Sequence, residues 1–239
     1  MNTLIDILMM TKRNLIRYTR LPQLVVFSTI QPVMFLLLFT YVFGGAISAG
    51  GVKYINFLLP GILLQTVLFG SMQTGIALAD DMSRGMIDRF RTLPMARSAV
   101  LAGRTITDTL RNVFVVLLMA GVGGLIGFRF QGTWIDALAA LGIAVLFGFA
   151  FSWISATIGL SVKDTETAQV AGFIWVFPLA FASSIFVPIQ SMPKFLEAFA
   201  RVSPVTVTVD AIRALSLGQP VGESLWYSLA WIFGIFIVL

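Results

Sequence analysis

Charged residues divide the chain into long uncharged runs. These runs cover residues 21–52, 54–79, 112–128, 137–162, 167–193 and 224–239. A helix needs about 20 mostly apolar residues to cross the hydrocarbon core of a bilayer. The alternation of apolar and polar residues that is typical of membrane barrel strands is absent. The pattern predicts an all-α integral membrane protein, a single domain over 1–239 with six transmembrane helices at about 23–43, 57–79, 106–127, 137–161, 167–187 and 224–239.

The third and sixth predicted spans come from the shortest runs. Run 112–128 has 17 residues, so its helix is expected to extend back past Arg111. The last run has 16 residues and stops at Leu239 inside an apolar segment. We expect a native C-terminal tail beyond this position.

Residues 3–20 show the periodicity of an amphipathic helix. At about 100° per residue, Asp6, Arg13, Arg17 and Arg20 cluster on one side, and leucine, isoleucine and methionine occupy the other. We predict an interfacial helix that lies on the membrane, with Arg13, Arg17 and Arg20 on its polar face. The alternative is a basic flank that only sets the topology.

The positions of the basic residues predict the orientation. With the N-terminus in the cytoplasm, eleven of the 16 lysines and arginines lie on the cytoplasmic side, a count that includes Arg104 and Arg111. Cytoplasmic loops of membrane proteins carry an excess of such residues. The sequence therefore predicts a cytoplasmic N-terminus.

Composition supports the membrane interpretation and excludes several classes of protein. The chain is 58% hydrophobic and 11% charged, with a mean hydropathy of +0.93, whereas soluble domains average about 25% charged residues. A soluble enzyme, a disordered tail and a nucleic-acid-binding protein are therefore excluded. The chain has no cysteine and no histidine, which removes disulfides, the commonest general base and the commonest metal ligand. We expect neither a metal site nor a catalytic site.

The predicted spans contain neutral polar residues and no charged residue at their centres. Ion-driven carriers usually need an ionisable group at membrane depth. The neutral groups can hydrogen-bond between helices or line a substrate path, and the sequence leaves both roles open. Those that we consider for a path are Gln31, Gln65, Gln73, Ser183 and Ser184.

The chain carries no energy-converting motif of its own. A phosphate-binding loop needs Gly-Lys followed by serine or threonine, and none of the four lysines follows a glycine. Intramembrane proteases need a histidine or lysine base, an HExxH motif or two intramembrane aspartates, and the spans hold none of these. We therefore expect a non-enzymatic chain whose energy comes from a partner.

The longest predicted cytoplasmic segment, 80–105, is the candidate docking site for that partner. Met86, Phe90 and Leu93 fall on one helical stripe, charged residues lie on others, and Pro94 ends the helix. A short helix with an aromatic side chain suits a groove of another protein. The alternative is a solvated basic loop with a surface helix. The candidate docking residues are Arg84, Met86, Ile87, Asp88, Arg89, Phe90, Arg91, Leu93 and Pro94.

Two stretches of this sequence resemble a known family. The run RGMIDRFRTLPMARSAVLAGRTITD at 84–108 resembles the cytoplasmic coupling segment of ABC type-2 exporter permeases, particularly those similar to the daunorubicin-resistance permease. The second stretch places motifs in the order found in that family. They are Ser184-Ile185-Phe186-Val187-Pro188, Met192-Pro193, Ser203-Pro204 and Asp210-Ala211-Ile212-Arg213.

This resemblance implies a subunit of an ATP-driven exporter in a bacterial or archaeal plasma membrane. Such permeases pair as homodimers or with a close relative, and each binds an ATP-binding subunit that holds ATP and Mg. The expected substrate is a hydrophobic or amphipathic drug, lipid or glycolipid. The permease itself is expected to contact membrane lipids and to bind no nucleic acid. The runner-up is an ion-coupled secondary carrier that acts without an ATPase.

The resemblance also implies roles for three segments. Residues 84–95 would be the coupling helix within the coupling loop 80–105, and residues 3–20 would be the interfacial helix that contacts the same ATPase. Residues 189–223 would form re-entrant outer helices between spans five and six. Prolines that break a continuing helix support this last role, and Asp210 and Arg213 have the spacing of a helical ion pair. The residues matched in or beside the outer segment are Phe186, Pro188, Pro193, Pro204, Asp210 and Arg213.

Overall fold

The computed structural model describes residues 3–20, 22–44, 53–92 and 96–238, and within these ranges every regular element is a helix. The elements are α1 (Thr3–Arg20), α2 (Pro22–Leu38) with a π-helical continuation (Phe39–Phe43), α3 (Tyr54–Ser83), α4 (Met86–Arg91), α5 (Arg97–Ile126), α6 (Trp134–Ser161), α7 (Thr165–Phe181), a 3₁₀ turn (Ile189–Ser191), α8 (Lys194–Val202), α9 (Pro204–Ser216) and α10 (Ser224–Val238). The predicted all-α class is confirmed.

Three of the described helices are long and apolar enough to cross a membrane. They are α3, α5 from Ser98 onward, and α6, and at 1.5 Å per residue each is over about 40 Å long. Two shorter apolar helical segments cover Ser28–Phe43 and Ser224–Val238. The described helices coincide with predicted spans two, three and four, while the full set of six spans stays a prediction.

Two predicted boundaries differ from the structure. Helix α5 begins at Arg97 rather than at about 106, so the predicted coupling loop 80–105 is largely helical. Helix α7 ends at Phe181 rather than at 187. At this end the Ser183 hydroxyl donates to the carbonyl of Ala180, at 2.6 Å, and so satisfies one of the free carbonyls of the last turn.

Helix α3 is the centre of the protein. It packs against α5, α6, α7 and α9, and most of its side chains are buried. Leu58, Leu64 and Leu68 of α3 form the core together with Phe147 and Phe151 of α6, whose rings stack at 4.2 Å between centroids. Functional groups on α3 are therefore held by neighbours on several sides.

Helices α3 and α6 approach each other closely at glycine. A Cβ atom on Gly75 would overlap the backbone of Ser155, and one on Gly159 would overlap the backbone of Gly75. Backbones can approach this closely only where side chains are absent.

Replacing Gly159 with leucine is expected to destabilise the protein by about 1–3 kcal/mol, because the new side chain must push α3 and α6 apart. The unfolding midpoint of the purified chain measures this effect. Gly142 provides a matched control on the same helix, since a Cβ atom there would meet nothing within 4 Å. Equal midpoints for Gly159→Leu and Gly142→Leu would contradict the close packing of α3 on α6.

Candidate functional site

Helix α1 is attached to the protein through its polar face. The Arg13 guanidinium lies 3.3 Å from the carboxylate of Asp81, and that of Arg17 lies 3.3 Å from Asp80. Asp80 also accepts a hydrogen bond of 2.8 Å from Arg84. Arg20, at the end of the helix, is exposed. Two of the three predicted interfacial arginines therefore join α1 to the end of α3.

The apolar face of α1 points away from the protein. The exposed fractions of Leu4, Leu8 and Met9 are 70%, 68% and 66%, whereas Thr11 and Asn14 on the packed side are buried. A soluble protein would bury the apolar face instead. This arrangement suits a helix whose outer face contacts the membrane interface.

A buried carboxylate joins α1, α3 and α5. Asp108 accepts hydrogen bonds from the hydroxyl of Tyr18 at 2.9 Å, the hydroxyl of Thr74 at 2.7 Å and Nε of Arg104 at 3.0 Å. The side chains of Asp108 and Arg104 are 1% and 8% exposed. We call these four residues the Asp108 cluster.

The Asp108 cluster also holds Tyr18 in its protonated form. Burial, together with the negative charge of Asp108, raises the pKa of the Tyr18 hydroxyl above its ordinary value. The sequence interpretation did not single out this cluster. The available signal was the spacing of Arg104 and Asp108, four residues apart on a helix, but the contacts with Tyr18 and Thr74 join distant parts of the chain.

Arg111 lies in the middle of α5. Its Nη2 atom donates to the carbonyl of Gly70, at 2.7 Å, and to the side chain of Asn112, at 3.2 Å, and Gly70 is itself near the middle of α3. The charge pattern counted Arg111 with the cytoplasmic loop, but α5 begins earlier than predicted and carries it to mid-helix. An arginine does not release its proton in a protein, so this position offers no proton relay.

Three of the predicted path residues converge on one cavity. Gln31, Gln65 and Gln73 line a space of about 150 Å³ together with Arg111 and Asn112. We call this space the glutamine cavity. It lies among α2, α3 and α5, with a phenylalanine of α7 on its wall.

A second cavity continues from the glutamine cavity toward α1. Its volume is about 490 Å³, and it shares Gln31, Gln73 and Arg111 with the first. Arg17 and Asp80 line its other end. Together the two cavities connect the middle of α3 with the attachment of α1.

Ser183 and Ser184 do not line the glutamine cavity. Both are buried just after α7, where Ser183 bonds to Ala180 and the Ser184 hydroxyl donates to Asp210 at 2.8 Å. The structure therefore separates these serines from the three glutamines. Their path role stays a prediction.

The motifs in the C-terminal half meet at the other end of α3. Arg213 pairs with Asp210 at 2.7 Å and donates to the carbonyls of Ser184, at 2.9 Å, and Phe57, at 3.1 Å. Its guanidinium also lies 3.8 Å from the centre of the Phe57 ring, a cation–π contact. We call Phe57, Ser184, Asp210 and Arg213 the Arg213 cluster. The helical spacing correctly indicated the Asp210–Arg213 pair.

Burial shifts both ionisable groups of the Arg213 cluster. Burial raises the pKa of the Asp210 carboxyl, although the charge of Arg213 opposes the shift. Burial lowers the pKa of Arg213 to about 10, so the guanidinium remains charged at neutral pH. Arg213 is therefore a largely buried cation beside a partly exposed carboxyl, since the side chains of Arg213 and Asp210 are 12% and 37% exposed.

The residues around the Arg213 cluster shape the segment 189–223 into short helices. Phe186 is buried and its carbonyl accepts a hydrogen bond from the Tyr54 hydroxyl at 3.2 Å. Pro188 precedes the 3₁₀ turn, Pro193 precedes α8 and Pro204 is the first residue of α9. Helix α9 is mostly buried. Whether the segment re-enters a membrane stays a prediction.

The candidate docking segment is helical where it is described. Helix α4 follows α3 after Gly85, whose φ of +66° permits the sharp turn. Met86 and Ile87 are half-buried, while Arg84 and Arg89 are exposed. The other predicted docking positions are not fully described. The structure describes the backbone but not the side chains of Asp88, Phe90 and Arg91, and Leu93 and Pro94 lie outside the described residues. The contact with a partner stays a prediction.

In the described ranges, no three or more acidic residues are grouped so that they could hold a metal ion. Ion pairs and hydrogen bonds occupy the carboxylates of Asp80, Asp108 and Asp210. The chemistry that the described residues offer is binding and structural coupling.

Comparisons with known proteins agree with the resemblance found in the sequence. A daunorubicin resistance ABC transporter permease protein, DrrB1 of Streptomyces coeruleorubidus, is 35% identical over 206 residues, which cover 86% of this chain and 73% of the relative. A probable doxorubicin resistance ABC transporter permease protein, DrrC of Mycobacterium tuberculosis, is 27% identical over 232 residues, 97% of this chain and 84% of the relative.

A more distant relative is the probable multidrug ABC transporter permease YbhR of Escherichia coli. It is 18% identical over 175 residues, which cover 72% of this chain and 47% of the relative. The family profile described as ABC-2 type transporter matches residues 6–217. This range contains α1 from Asp6 onward, the Asp108 cluster, the glutamine cavity and the Arg213 cluster. The chain therefore belongs to the ABC-2 type transporter family.

Proposed function

We propose that this permease moves a hydrophobic or amphipathic substrate, such as a drug, a lipid or a glycolipid, out of the cytoplasm. Family membership makes the chain a membrane permease of an ATP-driven exporter. In our proposal it spans a bacterial or archaeal plasma membrane six times and pairs with a second permease chain. A partner ABC subunit binds ATP and Mg and supplies the energy.

The observation that carries the proposed mechanism is the direct attachment of α1 and α4 to the helices around the glutamine cavity. Helix α4 joins α3 to α5, and α1 is attached to the same two helices through Asp80, Asp81 and Asp108. An ATPase that displaces α1 therefore acts on α3 and α5 through these contacts, and one that displaces α4 acts on the two helices that α4 contacts.

The glutamine cavity is the proposed start of the substrate path. Its polar residues face a wall that also contains aromatic side chains, which suits an amphipathic molecule. Movement of α3 relative to α5 changes the shape of this cavity, because both helices line it. Export then requires the cavity to open on the other side, toward the paired permease chain.

Reversal of charge at Arg89 tests the docking role of α4. Arg89 is exposed, so Arg89→Glu is expected to leave folding intact while the permease loses the ability to alter the hydrolysis rate of its ATPase. We expect at least about tenfold weaker binding of the ATPase, equivalent to about 1.4 kcal/mol. ATP hydrolysis and affinity are measured with the purified permease and ATPase in the same lipid discs.

Arg129→Glu is the matched control for this experiment. Arg129 is exposed and lies just beyond the opposite end of α5, so the same change of charge there should leave docking unaffected. Equal losses for the two variants, or no loss for Arg89→Glu, would contradict docking at α4. Transport in vesicles without any ATPase, abolished by an ionophore, would contradict the exporter proposal and favour an ion-coupled carrier.

A further inference from the structure

Arg111 is a charged side chain at mid-helix that forms no direct ion pair with a carboxylate of the described residues. Its side chain donates hydrogen bonds to the backbone carbonyl of Gly70 and to the neutral amide of Asn112. Across the part of the chain that the structure describes, Arg111 takes part in no ion pair. A cation in the middle of a membrane helix is costly, and such residues are kept mainly for function or pairing.

The groups next to Arg111 leave a positive charge unbalanced. The nearest carboxylate in its own helix is Asp108, which already bonds to Arg104 at 3.0 Å. Asp80, at the far end of the second cavity, and its neighbour Asp81 form ion pairs with Arg13, Arg17 and Arg84. Two guanidinium groups, those of Arg104 and Arg111, thus share one buried carboxylate, and only Arg111 lines both cavities.

The carboxamides that line the glutamine cavity are available to a ligand. Within the described residues, the side chains of Gln31, Gln65 and Gln73 form no hydrogen bond with the protein. Gln65 is only 7% exposed, so its polar group faces the cavity rather than bulk water. A molecule with hydrogen-bonding groups that enters the cavity can pair with this amide.

The cavity also has an apolar wall. Phe35 of α2, Phe69 of α3 and Phe173 of α7 line it, and the Phe69 and Phe173 rings each contact Phe177, at 5.5 and 5.2 Å between centroids. These rings offer flat surfaces to an acyl chain or an aromatic ring. The cavity thus combines one cation, several carboxamides and an apolar surface.

We propose that the glutamine cavity is a binding site for amphiphiles with a negatively charged head group, in which Arg111 binds the anion and Gln31, Gln65 and Gln73 bind neighbouring oxygen atoms. The apolar part of the ligand packs on the phenylalanine wall. This inference rests on the proposed export function and specifies its substrate class. A carboxylate or phosphate head provides the oxygen pair that a guanidinium binds best, whereas a cationic head would be repelled by Arg111.

Direct binding of a fluorescent amphiphile tests the proposal. The probe is a dansyl-labelled undecanoic acid, its methyl ester is the uncharged analogue, and the purified full chain is held in discs of phosphatidylcholine. We expect the acid to bind at least about tenfold more tightly than the ester, equivalent to about 1.4 kcal/mol. Arg111→Gln should remove this preference, Arg111→Lys should restore much of it, and Gln65→Leu should weaken binding of both probes.

Arg201→Gln is the matched control, because Arg201 is an exposed arginine on α8, paired with Glu197. It should bind both probes as the unchanged chain does. Equal affinities of acid and ester, or an unchanged preference in a folded Arg111→Gln variant, would overturn the proposal. Monodispersity and the unfolding midpoint establish that each variant is folded.

Two further comparisons complete the test. The first distinguishes a membrane lipid from an exported molecule as the ligand, and the second distinguishes failure of the proposed substrate class from failure of the proposed export function. Discs that contain phosphatidylglycerol show whether a lipid head group fills the site. Competition with the probe identifies anionic lipid as an occupant, and its absence excludes phosphatidylglycerol in favour of a free anionic amphiphile. Both results support an anion site. Because binding is measured without the ATPase, its failure overturns only the substrate class, whereas transport in vesicles without any ATPase overturns the export function.

Discussion

Asp108→Asn is expected to lower the free energy of unfolding by about 3–5 kcal/mol, because it leaves the buried guanidinium of Arg104 without its counter-charge. The asparagine also replaces one acceptor oxygen by an NH₂ group. Tyr18 donates to one carboxylate oxygen and Thr74 to the other, so one of these two hydroxyls loses its acceptor. Since these bonds join α1 and α3 to α5, the loss affects all three helices. Thermal or denaturant unfolding of the purified chain measures the change.

A second variant separates charge pairing from the general effect of a core substitution. The double replacement of Arg104 by methionine and Asp108 by leucine removes both charges, and it is expected to be more stable than Asp108→Asn alone. The control is Glu197→Gln, which breaks an exposed ion pair with Arg201 and should cost under about 1 kcal/mol. If Asp108→Asn cost no more than Glu197→Gln, the Asp108 cluster would not hold the helices together.

Arg213→Gln is expected to cost about 3 kcal/mol of stability and to abolish export. The guanidinium bonds at once to a carboxylate and to two carbonyls from different elements, and glutamine cannot span all three. Arg213→Lys should recover only part of the loss, because lysine has no planar fork of donors. Unfolding midpoints and transport in vesicles with the ATPase measure the two effects.

Asp210→Asn should be milder than Arg213→Gln. Burial already raises the pKa of the Asp210 carboxyl and so disfavours its charged form, and the neutral amide leaves Arg213 its two carbonyl partners. Arg201→Gln, on the exposed surface of α8, is the control for loss of an arginine. Equal stability of Arg213→Gln and Arg201→Gln would show that the Arg213 cluster is not a structural joint between α3, α9 and the end of α7.

The helices could be predicted from the sequence because the bilayer imposes a simple rule. Backbone groups in hydrocarbon must form their hydrogen bonds within the segment, so a long uncharged run indicates a helix. The bounds of α3, α6 and α10 lie within about four residues of the predicted ones. The Asp210–Arg213 pair followed from helical spacing in the same way. Gln31, Gln65 and Gln73 were found because polar residues in apolar runs are conspicuous.

The start of α5 was harder to predict because the sequence does not distinguish charged residues at the end of a helix from charged residues in a loop. The rule for spans counts charged residues and cannot distinguish a solvated arginine from one that bonds to a neighbouring helix, as Arg104 and Arg111 do. The separation of Ser183 and Ser184 from the glutamines was likewise invisible in the sequence. Both serines bond near the end of α7, to Ala180 and to Asp210.

The sequence by itself determined the membrane class, the helical fold, the resemblance to ABC-2 permeases and the residues that bear polar groups inside apolar segments. These features depend on hydropathy and on local spacing, which are properties of consecutive residues. Only the tertiary structure decided that α1 turns its arginines toward Asp80 and Asp81, that Asp108 joins three helices and that Arg111 faces the glutamine cavity. The physical reason is that ion pairing and cavity formation depend on which helices pack together. That packing joins residues far apart in the chain, 90 positions between Tyr18 and Asp108 and 156 between Phe57 and Arg213.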